Sequence, residues 1–381
     1  MEQDNRCTLG IDIGTTSVKI ILLDELIRSP VIHVTKPHHA TITTGLKPGH
    51  HEQHLGQLLC TVTSCMQKVS NDASVQLEKV NCIGVSSQMH GVVRWNAEMA
   101  HKAWESTMNG MNGGHVREAF DDEQCASSLI TWMDQRADEE FIGTLPPPSH
   151  GSMGFPTDIL PTVVEPVIAI GTSAQICFLL PPDVKPPDGS SMPRKVQYFP
   201  YFDGSFVTVG ASLNGGNVLS EFAQILHGWM AQLSGADATI GQDRIWERIL
   251  ELLLQESTSC TPAEQMAGSP QLSIHPTIYG ERHSPQNLGS VFNISPANVK
   301  ELGKILMGLV EGIAKNLRDF ISIDCMLKHG IDRVLLVGEA RKPWFQVAIR
   351  KVFCSDDLEV VMCNEDTDSA YGCALLCCNI T

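Results

Sequence analysis

The stretch GIDIGTTSVKIILLD, residues 10–24, joins two apolar runs through the small residues Gly-Thr-Thr at 14–16. Ile, Val and Leu alternate on both sides of this turn, which predicts a β-hairpin over residues 7–24. Glycine lets a backbone approach phosphates, threonine offers hydroxyl and amide groups, and a carboxylate such as Asp12 can hold magnesium. The hairpin therefore predicts a nucleotide-phosphate site to which Lys19 adds charge. A plain tight turn that Asp12 caps is the alternative.

Length and composition limit the classes of protein to consider. The chain has 381 residues, of which 43% are hydrophobic and 18% charged, so it is long enough for two globular domains. Its net charge of −16 argues against nucleic acid and anionic membranes as partners. The 13 cysteines include no CxxC pair, and the first ten residues do not resemble a signal peptide. We therefore expect reduced thiols and a cytoplasmic location.

The order of the predicted elements indicates an α/β protein with a duplicated fold. VIAIGTSAQICFLL (167–180) predicts a second hairpin with a Gly-Thr turn, similar to the first. HEQHLGQLLCTVTSCMQKV (51–69) has helical spacing, and VNCIGVSSQMHGVVRW (80–95) predicts strand, turn and strand. The segment 296–321 predicts the strongest amphipathic helix, and a helix at 368–376 follows it. Strands and helices in alternation favour two domains with sheets.

Several motifs resemble those of the FGGY carbohydrate kinases. DIGTTSVK (12–19) resembles their first phosphate motif, and IGTS (170–173) resembles the second. GVSSQMHGVV (84–93) is similar to the turn that contacts the sugar, and TWMDQR (131–136) to a Trp-x-Asp-x-Arg stretch. The resemblance runs along most of the chain and implies a two-domain actin/hexokinase-like (ribonuclease H-like) ATPase fold, partly truncated.

The resemblance also implies a reaction and the residues that serve it. It implies phosphoryl transfer from ATP, with Mg²⁺, to a primary hydroxyl of a ketose. An N-terminal sugar-binding domain would cover residues 1–166, and a C-terminal nucleotide-binding domain residues 167–381. Asp12 would serve the metal. Residues expected at the nucleotide are Asp12, Gly14, Thr15, Thr16, Lys19, Gly171, Thr172, Ser173 and Gly338, and residues expected at the sugar are Gln88, Met89, His90, Trp132, Asp134 and Arg136.

Two departures from the family pattern bear on activity. The family places a general-base Asp in a Gly-Asp-x-Gln stretch before its second phosphate motif, and this chain has no such stretch there. Asp158 is the nearest acid and a weak candidate for a relocated base. The adenosine loop, which has several glycines in the family, has only Gly338, followed by Glu339. These departures suggest a shortened chain from which substrate-domain segments are missing.

Three function classes follow from these observations. The first is an active ketose kinase, with a small sugar and ATP as its ligands. The second is a catalytically impaired splice or gene-model remnant that binds nucleotide or a partner protein at most. An actin- or chaperone-like ATPase ranks last, because it would not need the motif SSQMHG (86–91). The sequence does not predict an oligomeric state.

Three smaller motifs have competing interpretations. The five histidines in PHHATITTGLKPGHHEQH (37–54) could suggest zinc, but the favoured expectation is that they face solvent. NGGN (214–217) could either meet an anion at a helix start or form a packing turn. GERH (280–283) is expected to have a structural role rather than to contact a ligand.

Overall fold

The computed structural model describes residues 6–72, 77–88, 91–110, 113–131, 133–134, 136, 167–180, 184, 186, 195–201, 205–234, 240–259, 272–353, 355, 357–363 and 368–378. The strands are β1 (Cys7–Ile13), β2 (Ser17–Asp24), β3 (Pro30–Pro37), β4 (Glu52–Gln53), β5 (Val80–Ser87), β6 (Leu129–Ile130), β7 (Val167–Ile170), β8 (Ala174–Leu179), β9 (Gln197–Pro200), β10 (Phe206–Ser212), β11 (Ser273–His275), β12 (Ser290–Phe292), β13 (Arg333–Gly338) and β14 (Glu359–Met362). The α-helices are α1 (Leu55–Ser70), α2 (Ala97–Gly110), α3 (Gly113–Phe120), α4 (Gly216–Ser234), α5 (Gln242–Ser259), α6 (Pro296–Val299), α7 (Leu302–Phe320), α8 (Ile323–Lys328), α9 (Pro343–Phe353) and α10 (Ser369–Cys378).

Contacts divide the chain into two compact units. The first comprises Met1–Gly154 together with Glu365–Thr381, and the second comprises Phe155–Asn364. The last helix, α10, therefore packs in the first unit, whereas the sequence-based division assigned it to the C-terminal domain. The predicted boundary at residue 166 lies outside the described residues and stays a prediction.

The first unit is built on a four-stranded sheet with the order β3-β2-β1-β5. Along β2, Val18, Ile20 and Leu22 join the core cluster that includes residues of α1. The intervening Ile21 and Leu23 pack against α10 on the opposite face of the sheet. Both faces of β2 are therefore buried, which explains why this strand is a nearly continuous apolar run.

Two glycines allow α10 to lie directly on this sheet. Gly10 on β1 and Gly84 on β5 are paired across the sheet. A Cβ added at Gly10 would lie 1.8 Å from the carbonyl oxygen of Ala370, and one at Gly84 would lie 2.6 Å from that of Cys373. Because both positions lack a side chain, the backbone of α10 can approach the strands closely.

The second unit is built on a six-stranded sheet with the order β14-β13-β7-β8-β10-β9. Its core includes one face of α7, where Leu306, Val310, Ile313 and Leu317 recur at helical spacing and are fully buried. The amphipathic helix predicted at 296–321 is in fact two helices, α6 and α7. The break falls at Glu301, whose backbone is extended (φ −108°, ψ 113°).

Four strands of each sheet share one arrangement. In the first unit, β1 pairs antiparallel with β2 and parallel with β5, and β2 pairs antiparallel with β3. In the second unit, β7 pairs antiparallel with β8 and parallel with β13, and β8 pairs antiparallel with β10. The predicted duplication is therefore confirmed at the level of strand order and direction. No helix in the described parts of the chain is long and apolar enough to cross a bilayer.

Candidate functional site

The turn between β1 and β2 places a carboxylate beside its small residues. The N–H of Gly14 donates to the carbonyl of Ser17 (2.9 Å), which closes the turn. Asp12 pairs across the hairpin with Lys19, and its Oδ1 accepts a hydrogen bond from the Ser86 hydroxyl (2.8 Å). Burial raises the pKa of Asp12, although the Ser86 hydrogen bond and the charge of Lys19 act against the rise. A cation beside Asp12 would relieve the cost of keeping this carboxylate ionised.

The turn offers one carboxylate to a magnesium ion, which fits a site where substrate phosphates and water supply the other ligands. No group of three or more His, Cys, Asp or Glu side chains arranged for a metal occurs among the described residues. Magnesium in proteins commonly takes one or two carboxylates and completes its shell with water and substrate phosphates. Asp12 is the residue that would hold it, and Ser86 already engages only one of its oxygens. The ion would supply neutralisation of phosphate charge.

Lys19 contacts a residue that the sequence reasoning missed. Its Nζ lies 3.6 Å from Oδ2 of Asp368, and Nε2 of His33 lies 3.2 Å from the same oxygen. The other carboxylate oxygen accepts the N–H of Tyr371 at the start of α10 (3.0 Å). Burial alone would raise the pKa of Asp368, but the contacts with His33, Tyr371 and Lys19 lower it. The last helix thus begins beside the first hairpin.

Gln88 continues the first sheet at the end of β5. Its N–H donates to the carbonyl of Ile13 (2.9 Å), and its Nε2 donates to Oε1 of Gln53 (2.9 Å). Gln53 in turn donates to the carbonyl of Thr15 (2.7 Å), so the Gln88 side chain is linked to the hairpin turn, and its contact with sugar stays a prediction. Met89 and His90, its predicted companions, lie outside the described residues.

Asp134 and Arg136 form an ion-pair cluster with β4. Arg136 contacts Oδ1 of Asp134 through Nε (2.7 Å) and Oε1 of Glu52 through Nη2 (2.5 Å). The N–H of His51 donates to Oδ2 of Asp134 (2.8 Å). Burial alone would raise the pKa of Asp134, but hydrogen bonds from Arg136 and His51 bring it to about 2. The pair fixes β4, and its contact with sugar stays a prediction. Trp132 lies outside the described residues.

One histidine of the 37–54 run is buried, so the expectation that these histidines face solvent is wrong for His38. His38 is 1% exposed. Its Nδ1 accepts the N–H of Ala40 (3.1 Å), so Nε2 carries the proton and donates to the carbonyl of Gly14 (3.3 Å). Burial lowers the pKa of His38. The burial of His38 could not be predicted from the polar sequence around it, because its partner, Gly14, lies 24 residues earlier.

The second Gly-Thr turn is held by the start of α4. The N–H of Gly171 donates to the carbonyl of Ser173 (2.9 Å). The N–H groups of Gly216 and Asn217 donate to the carbonyls of Gly171 (2.8 Å) and Thr172 (3.2 Å). NGGN therefore serves at least as a packing turn against the second phosphate motif.

Two glycines of the second unit lie where a side chain would clash with neighbouring backbone. A Cβ at Gly215 would lie 2.4 Å from the carbonyl carbon of Ser173. Gly338 has a φ of +62° and ends β13 beside β7, where a Cβ would lie 2.7 Å from the carbonyl oxygen of Ile170. The single glycine of the predicted adenosine loop is thus required by the local backbone. Its contact with nucleotide stays a prediction.

Glu281 of the GERH motif organises the loop before α4. It is 3% exposed, and its Oε1 accepts hydrogen bonds from Ser212 Oγ (2.6 Å), Asn214 Nδ2 (3.0 Å) and Asn316 Nδ2 (2.7 Å). Its Oε2 accepts the N–H of Leu213 (3.3 Å). The structural interpretation of GERH is confirmed for Glu281, because this carboxylate ties three segments of the second unit together.

Comparison with known proteins shows which proteins this chain is similar to. Residues 7–102 match the N-terminal domain of the FGGY family of carbohydrate kinases. The sedoheptulokinases of Homo sapiens and Mus musculus are 25% and 26% identical to this chain, each covering 97% of it and 96% of the relative. A gluconate kinase from Lactobacillus acidophilus has the same fold (TM-score 0.55, 16% identity, 98% of this chain and 88% of that one). The chain is therefore similar to the FGGY carbohydrate kinases, with the family's N-terminal domain matched over residues 7–102.

The chain has the expected actin/hexokinase-like fold. The predicted resemblance to FGGY carbohydrate kinases is confirmed, and with it the predicted enzyme class, a phosphotransferase. The alignment with the human relative extends over 492 positions, whereas this chain has 381 residues, so at least 111 positions have no counterpart here. The chain is therefore shorter than these relatives in its interior, because the alignment covers 97% of this chain and 96% of the human relative.

Proposed function

We propose that the chain phosphorylates a primary hydroxyl of a ketose at the expense of ATP, with sedoheptulose as substrate and sedoheptulose 7-phosphate as product. The observation that carries the proposal is the match to two sedoheptulokinases over 97% of the chain. The end of β5 supports it, because Gln88 lies within hydrogen-bonding reach of the first phosphate turn through Gln53. We place the reaction in the cytoplasm.

The residues of the two turns would act by position and charge. Phosphoryl transfer requires little covalent work from a protein, since alignment of the groups and neutralisation of charge supply most of the rate. Asp12 would hold magnesium against the phosphates, and Lys19 would add positive charge. The remaining nucleotide contacts would come from Gly14, Thr15, Thr16, Gly171, Thr172, Ser173 and Gly338. Those to the sugar would come from Gln88, Met89, His90, Trp132, Asp134 and Arg136.

A second candidate function is that of a nucleotide-binding protein without efficient catalysis. The interior shortening of at least 111 aligned positions favours it. The family's general-base motif is also missing from the sequence, and Asp158 lies outside the described residues. Loss of a general base slows a reaction by roughly 10²–10⁴-fold. Turnover by this chain is therefore expected to be slow relative to its full-length relatives.

Phosphorus NMR of the reaction mixture distinguishes the two functions. The purified chain would be incubated with ATP, Mg²⁺ and sedoheptulose, and with xylulose, gluconate or no sugar as comparisons. A phosphomonoester signal that requires sedoheptulose supports the ketose kinase. ATP that stays intact while calorimetry detects its binding supports the second function, and absence of both turnover and binding contradicts both.

A further inference from the structure

Every carbonyl group of the first phosphate turn accepts a hydrogen bond from outside the turn. The carbonyl of Gly14 accepts from Nε2 of His38 (3.3 Å). The carbonyl of Thr15 accepts from Nε2 of Gln53 (2.7 Å). The carbonyl of Thr16 accepts from the backbone N–H of His38 (3.1 Å). Two residues from a later segment of the chain thus hold the turn from one side.

This arrangement fixes the direction of the N–H groups of the turn. In a trans peptide the C=O and N–H bonds point in opposite directions. Because the three carbonyls point toward His38 and Gln53, the N–H groups of residues 15–17 point away from them. Thr16 within the turn is exposed, so part of the turn is open to solvent. A set of N–H groups directed to one side is the arrangement that binds phosphate oxygens.

The orientation of two side-chain amides follows from the same contacts. The carbonyl of Thr15 can only accept, so the nitrogen of the Gln53 amide must face it and the oxygen must face Gln88. Gln88 must then present its nitrogen to Gln53 and its Oε1 to the other side. This Oε1 is buried and has no hydrogen-bond partner among the residues that the structure describes. It is an acceptor directed at a site where a hydroxyl could donate.

We infer that Gln53 is a positioning residue that joins the phosphate turn to the sugar side of the site. It is 2% exposed and lies on β4, which Asp134 and Arg136 hold in place. Through Nε2 it keeps the N–H groups of the turn directed at phosphate. Through Oε1 it keeps the carbonyl oxygen of Gln88 directed at a sugar hydroxyl. The inference rests on the proposed function for the identity of the two ligands.

Two substitutions separate the two contacts of Gln53. Gln53→Glu retains an acceptor for Gln88 but loses the donor to Thr15, whereas Gln53→Met loses both contacts. Gln67→Met is the matched control, because Gln67 is exposed on the neighbouring helix α1. Calorimetry with Mg·ADP and with sedoheptulose measures the two affinities separately. Amide exchange of a peptide covering residues 10–20 measures the ligand-free turn.

The expected results differ between the variants. Gln53→Glu should raise the Kd for Mg·ADP about fivefold to tenfold, the effect of one lost buried hydrogen bond, and leave the Kd for sedoheptulose within about twofold. Gln53→Met should raise the Kd for Mg·ADP and the Kd for sedoheptulose, and it should speed exchange of the Gly14 amide. Gln67→Met should leave both Kd values and the exchange rate unchanged. If Gln53→Glu fails to fold, amide exchange of Gln53→Met decides: faster exchange of the Gly14 amide at unchanged unfolding free energy supports the positioning role, and unchanged exchange excludes it.

Failure of the inference can be told apart from failure of the proposed function. If the unmodified chain binds both ligands but the Gln53 variants bind them equally well, the positioning role is excluded. Equal weakening of both ligands by Gln53→Glu would show a merely structural role. If the unmodified chain binds neither ligand, the proposed function fails, and amide exchange alone then decides whether Gln53 holds the turn.

Discussion

Asp12 is a half-buried carboxylate, and we propose that its charge serves ligand binding rather than folding. Because burial raises its pKa, the ionised form destabilises the folded state above that pKa. We predict that Asp12→Asn leaves the free energy of unfolding at pH 7 unchanged or raises it by up to about 1 kcal/mol. The same change should lower sugar-dependent turnover at least about 100-fold. Urea unfolding and an ADP-release assay measure the two effects. A clearly less stable variant would contradict this role.

His38 should make the first unit sensitive to acid. Burial lowers its pKa in the folded state, although its hydrogen bonds to the turn backbone act against that shift. The unfolded state therefore binds a proton more readily, so this contribution to stability is complete above the unfolded pKa of about 6.5 and falls as the pH drops below it.

His38→Gln tests this dependence, because glutamine can donate and accept without titrating. We expect the variant to lose less unfolding free energy than the unmodified chain between pH 7.5 and pH 5.5, as measured by urea unfolding. His39→Gln is the control, since His39 is exposed. Equal losses in the His38 variant and the unmodified chain would exclude the buried ring as the cause.

At the scale of elements, the two hairpins could be predicted from sequence because their signals are local. Gly-Thr turns between alternating apolar runs define β1–β2 and β7–β8 without reference to the rest of the chain. The packing of α10 on β1 could not be predicted in this way, because its contacts join residues about 360 positions apart, such as Thr8 and Ala374. The hydroxyl of Thr8 donates to the carbonyl of Ala374 (2.9 Å) in a contact that no short window of sequence contains.

Gly10 tests how closely α10 packs on the first sheet. Gly10→Ala would place a Cβ 1.8 Å from the carbonyl oxygen of Ala370, so the helix must shift. We expect a loss of about 1–3 kcal/mol or more in unfolding free energy. Gly372→Ala, on the same helix with open space around it, should be stabilising by up to about 1 kcal/mol. If urea unfolding shows that Gly10→Ala is not destabilising while Gly372→Ala is, this packing is contradicted.

Glu281 tests the polar network that supports the second phosphate turn. Glu281→Ala removes a buried acceptor that Ser212, Asn214 and Asn316 share. We expect unfolding free energy to fall by about 3 kcal/mol, and the Kd for Mg·ADP to rise because the loop packs on residues 171–173. Glu281→Gln retains one acceptor oxygen and should lose less. A change within about 0.5 kcal/mol for Glu281→Ala would contradict the network's importance.

At the scale of the whole molecule, the first sheet has an edge strand with exposed apolar side chains. β5 is the outer strand of the first sheet, and on its uncovered face Ile83 and Val85 are 56% and 61% exposed. Among the described residues no strand pairs with the outer edge of β5. Apolar side chains at an unpaired edge favour association with other chains.

The family resemblance identified more of the candidate site residues than hydrophobic periodicity did. It did not identify the residues whose hydrogen bonds and ion pairs hold those site residues in place. The motifs at 12–19 and 170–173 identified both turns, since turn residues are readable locally. Gln53 and Asp368 were missed because their importance lies in partners distant in the sequence. All the predicted ligand contacts stay predictions, and Met89, His90 and Trp132 also lie outside the described residues.

The most direct test of ketose kinase activity is ADP release measured with and without sedoheptulose on the purified chain and on Asp12→Ala. We expect release that depends on sedoheptulose and disappears in the Asp12→Ala variant. Sugar-dependent release that persists in Asp12→Ala would contradict the role of the first turn. A folded chain that releases no ADP with any ketose would contradict kinase activity, and nucleotide binding would then stand only if calorimetry detects bound ATP.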